Sequence, residues 1–165
     1  MKKTRKARAV PNLPFDIDIA VQCEDWQNAL SDIDGLAERA VGQIVEQLEV
    51  PKLGELSIAL IDDVQIKTLN RDYRHKDKPT NVLSFPDEGP APLLGDIVLA
   101  YETVAGEAAE KSISLEHHVT HLLIHGFLHL QGYDHETEAE AAKMEALEIA
   151  ALAALNIDNP YEIQD

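Results

Sequence analysis

Strand-like and helix-like patterning occupy separate parts of this chain, and that segregation limits its fold more than any other feature. Phe15-Asp16-Ile17-Asp18-Ile19-Ala20-Val21 and Glu55-Leu56-Ser57-Ile58-Ala59-Leu60-Ile61 alternate along their length, the period-2 mark of strands with one buried face. Asn81 to Phe85 and Gly95 to Ala100 are short apolar runs separated by PDEGPAPLL, which predicts a hairpin with a long loop. Two helices are interspersed. One spans about 31–48 with the stripe Ile33, Leu36, Ala40, Ile44 and Leu48 and is ended by Pro51. The other is capped by Asp62-Asp63, runs through Arg74, and is expected to turn Val64, Ile66, Leu69 and Tyr73 inward. Beyond Tyr101 the patterning is helical, near 102–109, 115–130 and 136–155. Strands first and helices after predict an α+β fold, a sheet of about four strands packed with helices.

A chain of 165 residues is the size of one domain. Residues 1–13 are basic and aperiodic and are expected to form a loose arm, leaving 14–165 as the single domain. No stretch approaches the roughly 18 consecutive apolar residues of a membrane-spanning helix. The opening MKKTRKAR is not followed by the apolar run of a signal peptide, so a cytoplasmic location is expected. The one cysteine, Cys23, excludes an intrachain disulfide and a Cys-rich zinc site. Any metal must be held by His, Asp or Glu.

The net charge of −16 argues against a polyanionic partner, because phosphate binders carry a basic face. Five of the 14 basic residues lie in the first eight, so the body of the chain is more acidic still. Yet Arg71, Arg74, Lys76 and Lys78 fall close together at the end of a predicted helix. Either they form a solvated helix end and loop, or they make a local basic patch.

His125 and His129 are four apart in a helix-compatible run, so their rings share a face, with Cα atoms about 6 Å apart along the axis. Gly132 can adopt the left-handed conformation that ends a helix and returns the chain, which brings His135 toward the pair. Three imidazoles with an open fourth position are the arrangement of a catalytic metal. His117, His118 and His121 precede the set, and His117 and His121 extend its stripe, but His121 lies about 12 Å from His129 along the axis, too far for one ion; all three are read as supporting, core-edge or surface residues. Gly126 stands where HExxH peptidases carry their general-base glutamate. A mid-helix glycine costs roughly 1 kcal/mol relative to Ala, which implies that something, substrate being one candidate, approaches the backbone closely. Imidazoles suit zinc, copper, iron and nickel alike, so the residues alone leave the metal open.

The stretch HGFLHLQGYDH resembles the histidine motif of the YbeY family of bacterial endoribonucleases, also called rRNA maturation factors, at His125, Gly126, Leu128, His129, Leu130, Gly132, Tyr133, Asp134 and His135. A second block is similar at Leu69-Asn70, Tyr73-Arg74 and Lys76 through Pro86, and a third at Leu94-Gly95-Asp96-Ile97. The resemblance covers about residues 55–160 and leaves out the N-terminal arm. It implies a mixed sheet with helices and one Zn2+ per chain on His125, His129 and His135. It further implies cleavage of single-stranded RNA, with roles in maturing the 3′ end of 16S rRNA and in ribosome quality control. The expected partners are therefore rRNA and the small ribosomal subunit with its proteins, and neither DNA nor membrane is expected.

The same resemblance marks Arg74 as the functional arginine beside the metal. A phosphodiester gains negative charge on the way to its transition state, which a guanidinium fork stabilises. Lys76 and Lys78 would then extend a basic, substrate-binding cleft. Asp96 and Asp134 are candidate proton-transfer helpers, although Asp134 can equally cap the last helix, where Thr137 and Glu140 form a capping-box pattern, and Asp96 can be a strand-end residue. Two other classes compete: a metallohydrolase of another substrate, and a ribosome assembly factor with a structural zinc whose acidic surface docks basic ribosomal proteins.

Overall fold

The computed structural model describes residues 3–4, 8–9, 15–49, 54–87 and 93–162. Its strands are β1 (Lys3–Thr4), β2 (Arg8–Ala9), β3 (Phe15–Val21), β4 (Gly54–Ile61), β5 (Val82–Pro86) and β6 (Leu93–Ala100). Its helices are α1 (Glu24–Ala29), α2 (Ile33–Leu48), α3 (Asp63–Arg74), α4 (Tyr101–Glu110), α5 (Leu115–Leu130) and α6 (Glu138–Ala154). The sheet order is β1-β3-β4-β6-β5, with β2 also on β3; β3, β4 and β6 are parallel, and β5 returns antiparallel to β6. This is the mixed α+β sheet expected, with four strands of five or more residues and two flanking dipeptides.

Period-2 alternation divides the apolar residues between the two sheet faces. Ile17, Ile19, Val21, Leu56, Ile58, Leu60, Ile97 and Leu99 join the main core with α2, α5 and α6. Ile61, Leu83, Val98 and Ala100 face the other way and form a smaller core under Ile66 of α3. α5 is the spine of the main core: Val119, Leu122, Leu123, Ile124, Phe127 and Leu128 are all buried. Truncating the fully buried Phe127 to Ala would cost on the order of 3–5 kcal/mol.

The helix starts follow their caps. Asp62 and Gln65 form a reciprocal capping box at α3, Ser114 accepts from the His117 amide at α5, and Thr137 accepts from the Glu140 amide at α6. Asp63 then ties α3 to α4, accepting from the backbone and hydroxyl of Thr103 at 3.0 and 2.9 Å.

Two expectations are corrected, and one element is added. Lys3–Thr4 and Arg8–Ala9 of the arm pair antiparallel with β3, because the outer edge of that strand offers unpaired backbone groups to any extended segment. The inner face of α3 is Ile66 and Asn70, flanked by Leu69; Val64 and Tyr73 are exposed, since the helix lies over one side of the sheet and buries a narrow stripe. α1 was not anticipated; it buries a single residue, Trp26, whose indole N–H donates to the Ile61 carbonyl at 2.9 Å. Pro51 and residues 88–92 of the hairpin loop lie outside the described residues. Among those described, no helix is long and apolar enough to cross a membrane.

Candidate metal centre

The last turn of α5 and the turn after it hold three histidines together. After the C-cap Gln131, the Gly132 amide donates to the His129 carbonyl and the Tyr133 amide to the Leu128 carbonyl, both at 3.0 Å, the Schellman pattern that closes a helix. It requires Gly132 at φ +95, which a side chain would disfavour. The chain reverses there and returns His135, whose ring centroid lies 5.1 Å from that of His129 and 5.7 Å from that of His125. One ring nitrogen from each of the three lies within 4.8 Å of the others.

Hydrogen bonds decide which nitrogen each helical histidine presents. The Nδ1–H of His129 donates to the Tyr133 carbonyl at 3.0 Å, and the Nδ1–H of His125 donates to Glu148 Oε2 at 2.9 Å. A neutral imidazole has one N–H and one lone pair, so both Nε2 atoms are left as acceptors, and they face each other at 3.1 Å. Two lone pairs at that distance repel unless a cation lies between them, and two ligands on one tetrahedral zinc at 2.0–2.1 Å stand roughly 3.3 Å apart. The donor set therefore fits a divalent ion. Burial holds the His129 pKa below its usual range, as does the neighbouring His125, against the opposing Tyr133 bond, which keeps this ring in the neutral form that a metal requires.

His125, His129 and His135 line a cleft of about 660 Å³ whose other walls include Arg74, Lys76, Ser84, Pro86, Asp134 and Glu136. The cleft straddles β5. Arg74 reaches it from the last turn of α3, donating from Nη2 to the Ser84 carbonyl at 2.8 Å, with its guanidinium carbon 5.7 Å from the Phe85 ring centroid. The Ser84 hydroxyl donates in turn to the Gly126 carbonyl at 3.1 Å, so one residue of β5 links the arginine to the histidine helix. Gly126 is explained by this packing and not by substrate: a Cβ there would meet Ile97 Cγ2 at 3.0 Å and Ser84 Oγ at 3.1 Å.

The other proposed residues divide. Asp134 lines the cleft and accepts from the His135 amide at 2.8 Å, while Thr137, not Asp134, caps α6. Lys78 is not among the lining residues; its carbonyl accepts from Asn70 Nδ2 at 2.9 Å. Asp96 does not join the site. It lies beside Ser57 on the sheet face opposite Ile97, so alternation along β6 turns it away from α5. Burial raises the Asp96 pKa, and Asp87 adds to that against a hydrogen bond from Ser57.

Glu148 was missed. This fully buried carboxylate of α6 sits behind His125 and accepts from His121 Nε2–H and the Tyr161 hydroxyl, both at 2.5 Å, as well as from His125. Burial alone would raise its pKa, but the three hydrogen bonds outweigh that and lower it to about 2, while the same burial and contact push the Tyr161 hydroxyl up. The signal was present in α6, where Glu148 interrupts the apolar set Met144, Ala151 and Leu152.

Fold and site together define an α+β protein with a three-histidine donor set opening onto a cleft that also carries basic side chains. The chain belongs to the YbeY family, matching the family described as Endoribonuclease YbeY over residues 19–156. The Endoribonuclease YbeY of Chelativorans sp. (strain BNC1) is 49% identical over 153 residues, which span 89% of this chain and 93% of that protein. That of Methylocella silvestris is 50% identical over 151 residues, 88% of this chain and 85% of the relative. In fold, the solution structure of TM1509 from Thermotoga maritima aligns with a TM-score of 0.55 at 26% identity, covering 85% of this chain and 91% of that one.

Proposed function

We propose that this protein is a zinc-dependent endoribonuclease that cuts single-stranded RNA, acting in maturation of the 3′ end of 16S rRNA and in ribosome quality control. The observation that carries this reading is the cleft itself, in which three imidazoles share the walls with Arg74 and Lys76. Membership of an endoribonuclease family supports the substrate class. The net charge of −16 disfavours RNA over most of the surface, so contact is concentrated where these cations stand, and basic ribosomal proteins are the matching partners for the acidic remainder.

When bound by His125, His129 and His135, a zinc ion supplies Lewis acidity toward a phosphodiester. The rest falls to the chain. Arg74, anchored through Nη2 on the Ser84 carbonyl, holds a non-bridging phosphate oxygen with its other donors. Lys76 binds a neighbouring phosphate as a point charge. Asp134, on the cleft wall, is the candidate proton acceptor. A peptidase reading has no base at the expected place, because residue 126 is glycine, and a side chain there would have to displace Ile97 and Ser84.

The test is cleavage of a labelled single-stranded RNA by wild type, Arg74→Ala, His129→Ala and a chelated sample shown by circular dichroism to remain folded. Cutting that tracks metal content and falls in both variants supports the reading. Equal cutting by every sample assigns the activity to a contaminant, and zinc binding without cutting turns the reading to an assembly factor.

A further inference from the structure

Three donors, two from α5 and one from beyond the end of α6, converge on one carboxylate behind the histidine set. Glu148 is fully buried; its Oε2 accepts from His125 Nδ1–H at 2.9 Å, and its Oε1 accepts at 2.5 Å from both His121 Nε2–H and the Tyr161 hydroxyl. Tyr161 lies beyond the end of α6 and is 42% exposed. Its amide donates to Asn159 Oδ1 at 2.8 Å, and its ring meets that of His121 edge-on at 5.6 Å, so a short turn seats the phenol on the buried pair.

Resting on the reading of His125, His129 and His135 as the metal ligands, we infer that Glu148 is a positioning residue that commits His125 to present Nε2 to the metal, and that Tyr161 is the latch that fixes Glu148. His125 holds Oε2, while His121 and Tyr161 together hold Oε1; the second bond at Oε1 narrows the carboxylate to a single orientation, and the His125 ring inherits it. The Nδ1–H bond also selects the tautomer, as the Tyr133 carbonyl does for His129. His121, His125 and Glu148 stand close enough to hold a cation themselves. Each of their contacts carries a donor proton, however, so the cluster works as a hydrogen-bonded support.

A Gln at 148 keeps the shape but has one acceptor oxygen. Its NH2 group must then face a donor, either His125 Nδ1–H or the His121 and Tyr161 pair. The affinity for zinc is measured by competition with a chromophoric chelator for wild type, Glu148→Gln, Tyr161→Phe and the ligand variant His129→Ala, with urea unfolding of each metal-free protein alongside. Glu148→Gln is expected to bind zinc roughly 10- to 100-fold more weakly, and Tyr161→Phe several-fold more weakly. Both are expected to shift the visible spectrum of the cobalt-substituted protein. Wild-type affinity in Glu148→Gln, or a loss confined to metal-free stability, overturns the proposal. Should Glu148→Gln not fold, Tyr161→Phe decides, and an unchanged zinc constant there rejects the latch. If wild type binds no zinc, or His129→Ala binds it equally well, the metal reading itself fails and takes this one with it.

Discussion

The carbonyl of Tyr133 accepts the Nδ1–H of His129 at 3.0 Å, and the same residue's amide closes α5 on Leu128. One turn therefore ends the helix, returns His135 and fixes the tautomer of His129. All three depend on Gly132 at φ +95.

Gly132→Ala tests that dependence. No atom lies within 4 Å of the position its Cβ would take, so the cost is purely conformational, on the order of 1–2 kcal/mol. Urea unfolding is expected to show that loss, and zinc titration a weaker site, because Tyr133 and His135 move together. Unchanged zinc binding in a destabilised protein would separate the turn from the site.

Arg74→Lys keeps the charge and removes the fork. The side chain is exposed, so stability should change by no more than about 0.5 kcal/mol, with zinc affinity intact. Cleavage of single-stranded RNA should fall by about tenfold or more, because a lysine cannot both rest on the Ser84 carbonyl and grip a phosphate with a planar pair of donors. Full activity in this variant would reduce Arg74 to a point charge.

For Gly126→Ala two effects oppose. Helix propensity gains roughly 1 kcal/mol, while overpacking costs about 1–3 kcal/mol. Ile97 belongs to a central strand and is fully buried, and Ser84 is bonded to the Gly126 carbonyl, so neither neighbour yields freely. Net destabilisation is expected, with RNA cleavage reduced more than zinc affinity, since Ser84 also carries Arg74. A melting temperature above that of wild type would show that the strands do give way.

What the amino-acid pattern disclosed was local. His125, His129, Gly132 and His135 lie within eleven residues, and helix geometry plus one glycine turn suffices to bring them together. Glu148 is 23 residues from His125, and its role appears only once α6 is seen against α5. Asp96 shows the reverse error: closeness to a motif suggested a site residue, while its parity with Val98 and not Ile97 puts it on the face turned away from α5. Val64 and Tyr73 fit a helical stripe equally well, but periodicity identifies a face without showing how wide a surface will cover it.

Removing the metal should leave the fold standing. None of the three histidines belongs to the buried core, which runs through α2, α5, α6 and the sheet. With zinc at about a thousand times its dissociation constant, binding would add about 4 kcal/mol to stability. Chelation is therefore expected to lower the melting temperature, by an amount that depends on zinc concentration, while the far-ultraviolet circular dichroism at 25 °C is retained. Loss of helical signal on chelation would mark the zinc as structural and favour the assembly-factor reading.

His118 gives the protein an acid sensitivity that is separate from the metal site. It is buried on α5, with Nε2 2.9 Å from Glu107 Oε1. Burial lowers its pKa below 6.5; Lys111 and His121 lower it too, against the bond and charge of Glu107. As pH falls, the unfolded chain takes up this proton before the folded one does. The associated stability is complete above about pH 6.5 and is lost as pH drops through the interval down to the folded value. The unfolding free energy, measured in urea between pH 7.5 and 5, should fall more steeply for wild type than for His118→Gln, which has no proton to gain. Parallel slopes would show that Glu107 fully offsets the burial and that the acid response arises elsewhere.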